Sequence, residues 1–353
     1  SKFIESMEWA AFEEDVTEWV DRGMKGKEPQ PEDYTRESLV YKKQALANYN
    51  IILEKYKDYG RRDEVLYIMA YNQYEAGKKK EAVRNYWELI KQYPKSVFIG
   101  DAYLAMGEHY FNDNQVLKAR KAFLKALETK KPKTYSFALY KLAWSDYNLQ
   151  EFDAAITKYK KVVDYAERQQ RKNKGKDRDH VQLKNEALND IVLTFSNVDA
   201  VDVAYEYIRK KGGDKLARSL TEKLARIYKE QGKFDQEIQT YRLLINTYPD
   251  DASCPDFQSS VVAAFSKLGK RKDVRTEVRR LVELYRPGSP WWKKNESNKG
   301  ALERARDTAE ARMRELVTDY HQYCQKFKKR PDCTLSRDIY AEYLQVFPNT
   351  EHA

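Results

Sequence analysis

EAGKKKEAVRNYWELIKQYP, Glu75 to Pro94, returns further along the chain as EQGKFDQEIQTYRLLINTYP, Glu230 to Pro249. In both copies Gly and Pro stand seventeen residues apart, with Tyr86 or Tyr241 nine residues after the Gly and Leu89 or Leu244 twelve after it. The spacing fits a pair of short helices that nest closely. Gly77 supplies the tight turn between them, Ala82 is small where they touch, and Tyr86 fills the space one turn later. Pro94 ends the second helix, because proline has no N–H to donate and its ring clashes with the preceding turn. One such hairpin cannot cover its own apolar face, so neighbouring hairpins must stack.

More copies fall into register when the small residue of the second helix is the anchor. Ala45, Ala82, Ala119 and Ala155 are 37, 37 and 36 residues apart, and each is followed four residues later by Tyr49, Tyr86, Phe123 or Tyr159. The first helices of three of these hairpins carry their small residues at Ala70, Gly107 and Ala143. A looser pair follows from Asn185 to Gly213, with Asp199 and Ala204 at its turn, and segments 257–287 and 300–330 read as two more hairpins. Two repeats depart from the pattern: Lys131 stands at the usual Pro position with Pro132 one later, and Gln236 and Glu237 replace the small residue equivalent to Ala82. The fold expected is all-α, an α–α solenoid of about seven hairpins, with no run of strand alternation.

Only 13 Gly and 10 Pro in 353 residues suit long helices with brief turns. The chain reads as an N-terminal helix and linker (1–33), an N-terminal repeat array (34–166), a basic flexible loop (167–180), a degenerate and second array (181–287) and C-terminal helical repeats (288–353). Ser1 is not an initiator methionine, and the closing YLQVFPNTEHA matches the junction YPKSVFIGDA, so the chain is expected to be a piece of a longer protein. No apolar run approaches the ~20 residues that span a bilayer, and membrane association is expected only through segments outside this chain.

Chemistry that would mark an enzyme is missing from the pattern. His109, His180, His321 and His352 stand alone, no glycine-rich phosphate loop, nucleophile elbow or HExxH is present, and no cofactor or metal is implied. Cys324 and Cys333 are nine residues apart, which allows either a disulfide across a short turn or two free thiols; Cys254 is left over. Lys and Arg number 65 against 55 acids, giving +10, with clusters at Arg168 to Arg178, Arg209 to Lys215 and Lys267 to Arg280. Such clusters suit an acidic partner, anionic lipid or nucleic acid, and equally a solvated helix face. No stretch interleaves aromatic and basic residues as a nucleic-acid module does, so nucleic acid is not the favoured partner.

The pattern of repeats resembles that of tetratricopeptide proteins over about 250 residues, Ala45 to Pro287. In that family the first helix of each hairpin lines a concave groove that receives a peptide or helix. Carried onto this sequence, the groove positions are Tyr67, Tyr71 and Tyr74; Leu104, Glu108 and Phe111; and Tyr140, Trp144 and Tyr147. Seven of the nine are aromatic, whereas the same count around Ala225 gives Glu222, Arg226 and Lys229. Two readings of the stripe stand: a docking surface, since Tyr and Trp give large contact area at small entropic cost, or a seat for the N-terminal helix with Trp9, Phe12, Val16, Trp19 and Val20. Trp291 and Trp292 form a second candidate, because adjacent tryptophans cannot both point into one helix stripe.

The junction YPKSVFIGDAYLAMGEHYF with KARKAFLKAL looks like the variety found in bacterial envelope proteins, including outer-membrane assembly lipoproteins and periplasmic coordinators of the Tol system. ALYKLAWSDYNLQEFDAAITKYKKVV and ALNDIVLTF look like the long tetratricopeptide proteins of predatory and gliding bacteria. The resemblance implies a non-enzymatic scaffold of a periplasmic or outer-membrane-associated complex for motility, adhesion, secretion or envelope assembly. The alternative is a cytoplasmic nucleic-acid or ribonucleoprotein adaptor that uses the basic clusters.

Overall fold

The computed structural model describes residues 2–34, 36–172 and 178–348, and its regular elements among them are helices. In chain order these are α1 (Lys2–Asp21), α2 (Arg36–Lys55), α3 (Arg62–Glu75), α4 (Lys79–Gln92), α5 (Ile99–Asn112), α6 (Val116–Glu128), α7 (Pro132–Asn148) and α8 (Phe152–Lys172). There follow α9 (Arg178–Val198), α10 (Val201–Glu230), α11 (Phe234–Thr247), α12 (Cys254–Lys267), α13 (Arg271–Tyr285), α14 (Pro290–Lys294), α15 (Lys299–Phe327) and α16 (Arg330–Val346). The chain divides into two compact units, Ser1–Tyr165 and Ala166–Ala353.

Among the described residues seven hairpins are recognisable by a single left-handed residue between their first and second helices: Gly77, Asn114, Gln150, Asp199, Gly232, Gly269 and Lys328, with φ from 51° to 77°. At Gly77 the N–H donates to the Tyr74 carbonyl and the next N–H, of Lys78, reaches back to Gln73. Tyr110, Asp146, Tyr228 and Phe265 accept the equivalent long-range bond at four other turns. This Schellman pairing satisfies carbonyls that a helix end leaves orphaned. Within α10 the backbone breaks at Gly213 (φ 78°, ψ 175°), so its first arm pairs with α9 and its second with α11.

Three second helices, α4, α11 and α16, also end alike. Tyr93, Tyr248 and Phe347 have φ/ψ of −127°/62°, −124°/61° and −124°/65°, each donates its N–H to the residue four before, and each precedes a proline. The fold is therefore an all-α solenoid of helical hairpins, as the spacing of Gly and Pro predicts. In the N-terminal unit Leu66, Ala70, Ala82, Tyr86, Leu89, Ala102 and Met106 form one interior cluster. Gly107 touches the second helix so closely that a Cβ there would lie 2.4 Å from Phe123 Cε1. The C-terminal unit is filled by clusters around Tyr241 and Phe257, around Leu281 and Trp291, and around Met313 and Ile339. Each large side chain so buried contributes about 1.5–3 kcal/mol.

Three expectations need correction, and the displaced Pro132 finds its place. Segment 300–330 is not a hairpin but one long helix, α15, which pairs with α16; AEARMRELV offers no breaker, and the turn waits for Lys328. The loop expected at 167–180 is helical at both ends, because ERQQRK consists of good helix formers, and only residues 173–177 of it lie outside the described residues. Pro132 begins α7 at its first turn, where a missing N–H costs nothing. The N-terminal helix is not seated in the aromatic stripe by the contacts it makes. Gly23, Met24 and Gly26, all at positive φ, fold the chain back so that Phe12 meets Tyr34 edge-on at 5.7 Å. The Glu8 carboxylate accepts the N–H groups of Glu37 and Ser38, both at 3.1 Å, and so caps the start of α2.

Candidate functional site

Helices α3, α5 and α7 are the first helices of three successive hairpins, and an α-helix places positions three and four apart on one face. The nine expected groove residues consequently flank or occupy one face of each helix. The structure divides them. Tyr67 stacks on Phe98 at 4.8 Å, and Tyr67 and Tyr74 border the Leu66–Tyr86 cluster. Burial pushes the Tyr67 hydroxyl up to about 12, with Asp101 adding to the shift. Leu104 and Phe111 pack against the cluster of Ala119, Phe123 and Leu142.

On α7, Tyr140 meets Tyr159 at 5.9 Å, Trp144 lies 5.4 Å from Tyr147, and Tyr147 meets Phe152 at 5.6 Å. These aromatic residues hold first helix to second helix, so packing accounts for much of the stripe. Of the nine only Tyr71, 39% exposed, is open; the others are half-buried, Tyr140, Trp144 and Tyr147 among them, and Glu108 forms an ion pair with Lys141 at 3.3 Å. The equivalent face of the C-terminal unit is tied up by charge. Arg218 donates to Asp251 at 2.7 and 3.0 Å, to Ser253 and to Glu222, while Arg226 lies 3.5 Å from Glu222.

Sequence reasoning missed the polar centre of the third hairpin. Asp146 is fully buried on α7, 3.0 Å from Arg120 Nε and paired with Lys158, and Arg120 also holds Glu151. In the first hairpin the same two register positions carry Gln73 and Asn85, hydrogen-bonded at 2.6 Å. Counting three residues on from Ala70 and Ala143, and three on from Ala82 and Ala155, finds both pairs. Arg62 was also missed; its guanidinium donates to the carbonyls of Leu53 and Tyr56 and to the Tyr93 hydroxyl, closing the end of α2.

Trp291 is a core residue, which corrects its place among the contact residues. Its ring meets Tyr285 edge-on at 5.2 Å, and its indole N–H, at 2.8 Å from the Asp251 carbonyl, satisfies the one polar atom that burial would orphan. Trp292 is half-buried and lines a cleft of about 890 Å³ with Val282, Tyr285, Ala309, Val346 and Phe347. Cys324 and Cys333 are joined as a disulfide with Cα atoms 4.8 Å apart. Cys254 is buried, donates to the Tyr248 carbonyl, and has its thiol pushed up to about 12, chiefly by burial.

Within two of the basic clusters several cations pair with carboxylates: Lys211 with Glu167, Arg209 with Asp214, Lys270 with Asp235, Arg271 with Asp319 and Arg279 with Glu342. Among the described residues no group of three or more His, Cys, Asp or Glu side chains is placed to hold a metal ion. No helix among them is long and apolar enough to cross a membrane.

The arrangement defines a class, a helical-repeat scaffold whose first helices present an aromatic face in one unit and an ion-paired face in the other. A family model described as tetratricopeptide repeat matches residues 64–96, 137–166 and 222–251, so the chain carries tetratricopeptide repeats in both units. Such repeats make a protein–protein interaction scaffold, and proteins of this fold are in general non-catalytic.

Among curated proteins none matches the chain. Similar solved structures include a tetratricopeptide repeat protein from Parabacteroides merdae, 14% identical, covering 82% of this chain and 100% of its own, at a TM-score of 0.39. PilF from Pseudomonas aeruginosa is 14% identical over 67% of this chain and 97% of its own, at 0.35. The TPR2AB domain of yeast Sti1, in a structure described as its complex with pHSP90, is 15% identical over 71% of this chain and 99% of its own, at 0.29.

Proposed function

We propose that the chain is a non-enzymatic scaffold of a bacterial cell-envelope complex, and that a peptide or helix of another component docks on the aromatic face of α3, α5 and α7. The observation that carries the docking site is the accessible aromatic surface centred on Tyr71 and Trp144, on the helices that belong to two of the three matched repeats and the hairpin between them. Amphipathic rings on rigid helices give contact area without a large loss of side-chain entropy. The disulfide between Cys324 and Cys333 supports an oxidising compartment, hence a periplasmic or outer-membrane-associated setting.

The test is cross-linking in the native cell followed by identification of what is captured, with the parent chain beside Tyr71→Ala and Trp144→Ala. A component captured by the parent and lost from both folded variants supports the reading. Unchanged capture with reduced thermal stability would show that the rings serve packing alone. Thiol labelling of Cys324 and Cys333 in intact cells tests the compartment, since reduced cysteines there contradict an envelope location.

A further inference from the structure

The solvent faces of α4 and α6 combine cations with exposed apolar side chains in one register. Lys80, Arg84, Trp87 and Lys91 stand four, three and four residues apart, so they form one stripe of α4, opposite the buried Ala82. The same stripe of α6, 37 residues on, reads Leu117, Lys121, Leu124 and Glu128, opposite the buried Ala119. All eight side chains are exposed, Trp87 by 49%, Leu117 by 63% and Leu124 by 46%. The two stripes are neighbours: α5 packs against both helices, Trp87 meets Tyr103 of α5 edge-on at 6.4 Å, and Tyr103 lies within electrostatic reach of Lys125 on α6. The flanking helices lack the combination. Their equivalent positions hold Lys43, Ala47, Asn50 and Glu54 on α2, and Asp153, Thr157, Lys160 and Asp164 on α8.

Charge is segregated between the two sides of this array. Helices α4 and α6 carry eight Lys and Arg against three Glu, whereas α3 and α5 carry one Arg against five acids. Among the described residues Lys80, Arg84, Lys91 and Lys121 form no ion pair. On the second helices of the C-terminal unit, by contrast, Arg242, Arg271 and Arg279 hold Glu277, Asp319 and Glu342. Glu88, the acid beside the α4 stripe, accepts from Gln92, and Glu128 is taken by Lys125. Four long cations therefore stand uncompensated around three apolar side chains that the core does not cover.

We infer that the outer face of α4 and α6 lies on a bilayer containing anionic phospholipid. Trp87, Leu117 and Leu124 enter the headgroup region, where an indole sits between water and acyl chains, and Lys80, Arg84, Lys91 and Lys121 reach lipid phosphates on their long stems. A fluid interface accommodates three apolar side chains separated by cations, whereas a helix docked in a groove needs a continuous apolar strip. Duplex nucleic acid matches the cations but leaves the leucines with nothing to be buried against. The acids of α3 and α5 orient the array, turning its first helices away from the lipid. The aromatic face of those helices stays open, and the inference does not rest on it. Membrane contact then arises within this chain, against the expectation that it comes only through segments outside it.

Flotation of the full chain tests it, with vesicles of phosphatidylcholine containing about a third phosphatidylglycerol set against vesicles of phosphatidylcholine alone. The anionic vesicles are expected to carry the protein and the neutral ones to leave it behind, with binding falling as salt rises. Arg84→Gln with Lys121→Gln should weaken binding roughly thirtyfold. Lys272→Gln with Arg280→Gln, which neutralises two exposed cations of α13, should leave it unchanged, as should Tyr71→Ala with Trp144→Ala. Brominated phosphatidylcholine in the anionic vesicles should quench more tryptophan emission in the parent than in Trp87→Phe, a readout that adsorption by charge alone does not give. All these positions but Trp144 are exposed, and circular dichroism confirms helical content first. Equal binding to the two vesicles, binding to neither, equal losses from the α4–α6 pair and the α13 pair, or quenching that is the same in Trp87→Phe would overturn the proposal. So would loss of flotation in Tyr71→Ala with Trp144→Ala, or duplex DNA or an acidic helical peptide held through Arg84 and Lys121 in place of the vesicles.

Discussion

The hairpin α7–α8 and the hairpin formed by the second arm of α10 with α11 share one frame, yet each buries a carboxylate of opposite standing. Asp146 is fully buried between Arg120 and Lys158, while Glu237, in the place where other hairpins have alanine, is 1% exposed and burial pushes its carboxyl above the ordinary range. The first acid is integrated into its hairpin; the second is tolerated. The contrast teaches that the turn, the small–large contact and the terminal proline define the hairpin, whereas the remaining interior positions accept whatever their neighbours can neutralise. The same division separates the two first-helix faces, aromatic around Tyr71 and Trp144 and ion-paired around Arg218 and Asp251.

Asp146→Asn should show the largest effect. It keeps the side-chain volume but leaves Arg120 and Lys158, both mostly covered, without their shared counter-ion. Losing one partner of a buried charge pair costs several kcal/mol, reduced here because the cations retain some solvent, so a loss of about 3 kcal/mol is expected in chemical denaturation. A loss below about 0.5 kcal/mol would put Asp146 on the same footing as Glu237 and dissolve the comparison.

Next in size is the bridge that closes the last hairpin. Cys324→Ser with Cys333→Ser opens a loop of roughly ten residues, and chain-entropy reasoning gives about 2–3 kcal/mol. The loss should fall on the C-terminal unit alone. Hydrogen exchange of α15 and α16 against that of α5 and α6 separates a local effect from a general one.

Gly107→Ala should come third. Ala70 and Ala143 hold the same register position with room for a methyl, but at Gly107 the added Cβ would sit 2.4 Å from Phe123, and overpacking of this kind costs about 1–3 kcal/mol. A neutral outcome would mean that α5 and α6 separate as easily as the other hairpins, removing the distinction between a glycine and an alanine contact.

Much of this fold was legible in the residues because its frame is written in steric extremes. Gly77 and Gly232 announce their turns, and Pro94 and Pro249 announce their stops. Asn114, Gln150, Asp199 and Lys328 make the same left-handed turn without glycine; at Asn114 and Gln150 two back-bonds to the helix offset the modest strain of a non-glycine residue, and at Lys328 its N–H bonds the Cys324 carbonyl. The last of these escaped the reading, and with it the true partner of α15. The aromatic face was located by counting, but its division into packing and accessible rings depends on which neighbour stands opposite, as with Tyr67 on Phe98, and no spacing within one helix reveals that. Trp291 failed for a related reason. Its indole N–H is satisfied by a carbonyl 40 residues earlier in the chain.

Glu237→Gln gives the smallest expected change and the sharpest one in sign. Burial raises the carboxyl pKa, with Lys229 only partly opposing, so the folded chain binds the proton more tightly than the unfolded chain. Stability linked to that proton is therefore fully present below the unfolded carboxylate range and is lost as pH rises through the folded value. The amide cannot ionise and escapes that loss. At about pH 4 the variant should match the parent, and at about pH 7 it should be more stable by up to roughly 1 kcal/mol. Asp146→Asn should be destabilised at the same neutral pH. Two neutralisations of buried acids in hairpins of one design would then move stability in opposite directions, and the sign would be set by whether a cation from a neighbouring helix reaches the carboxylate.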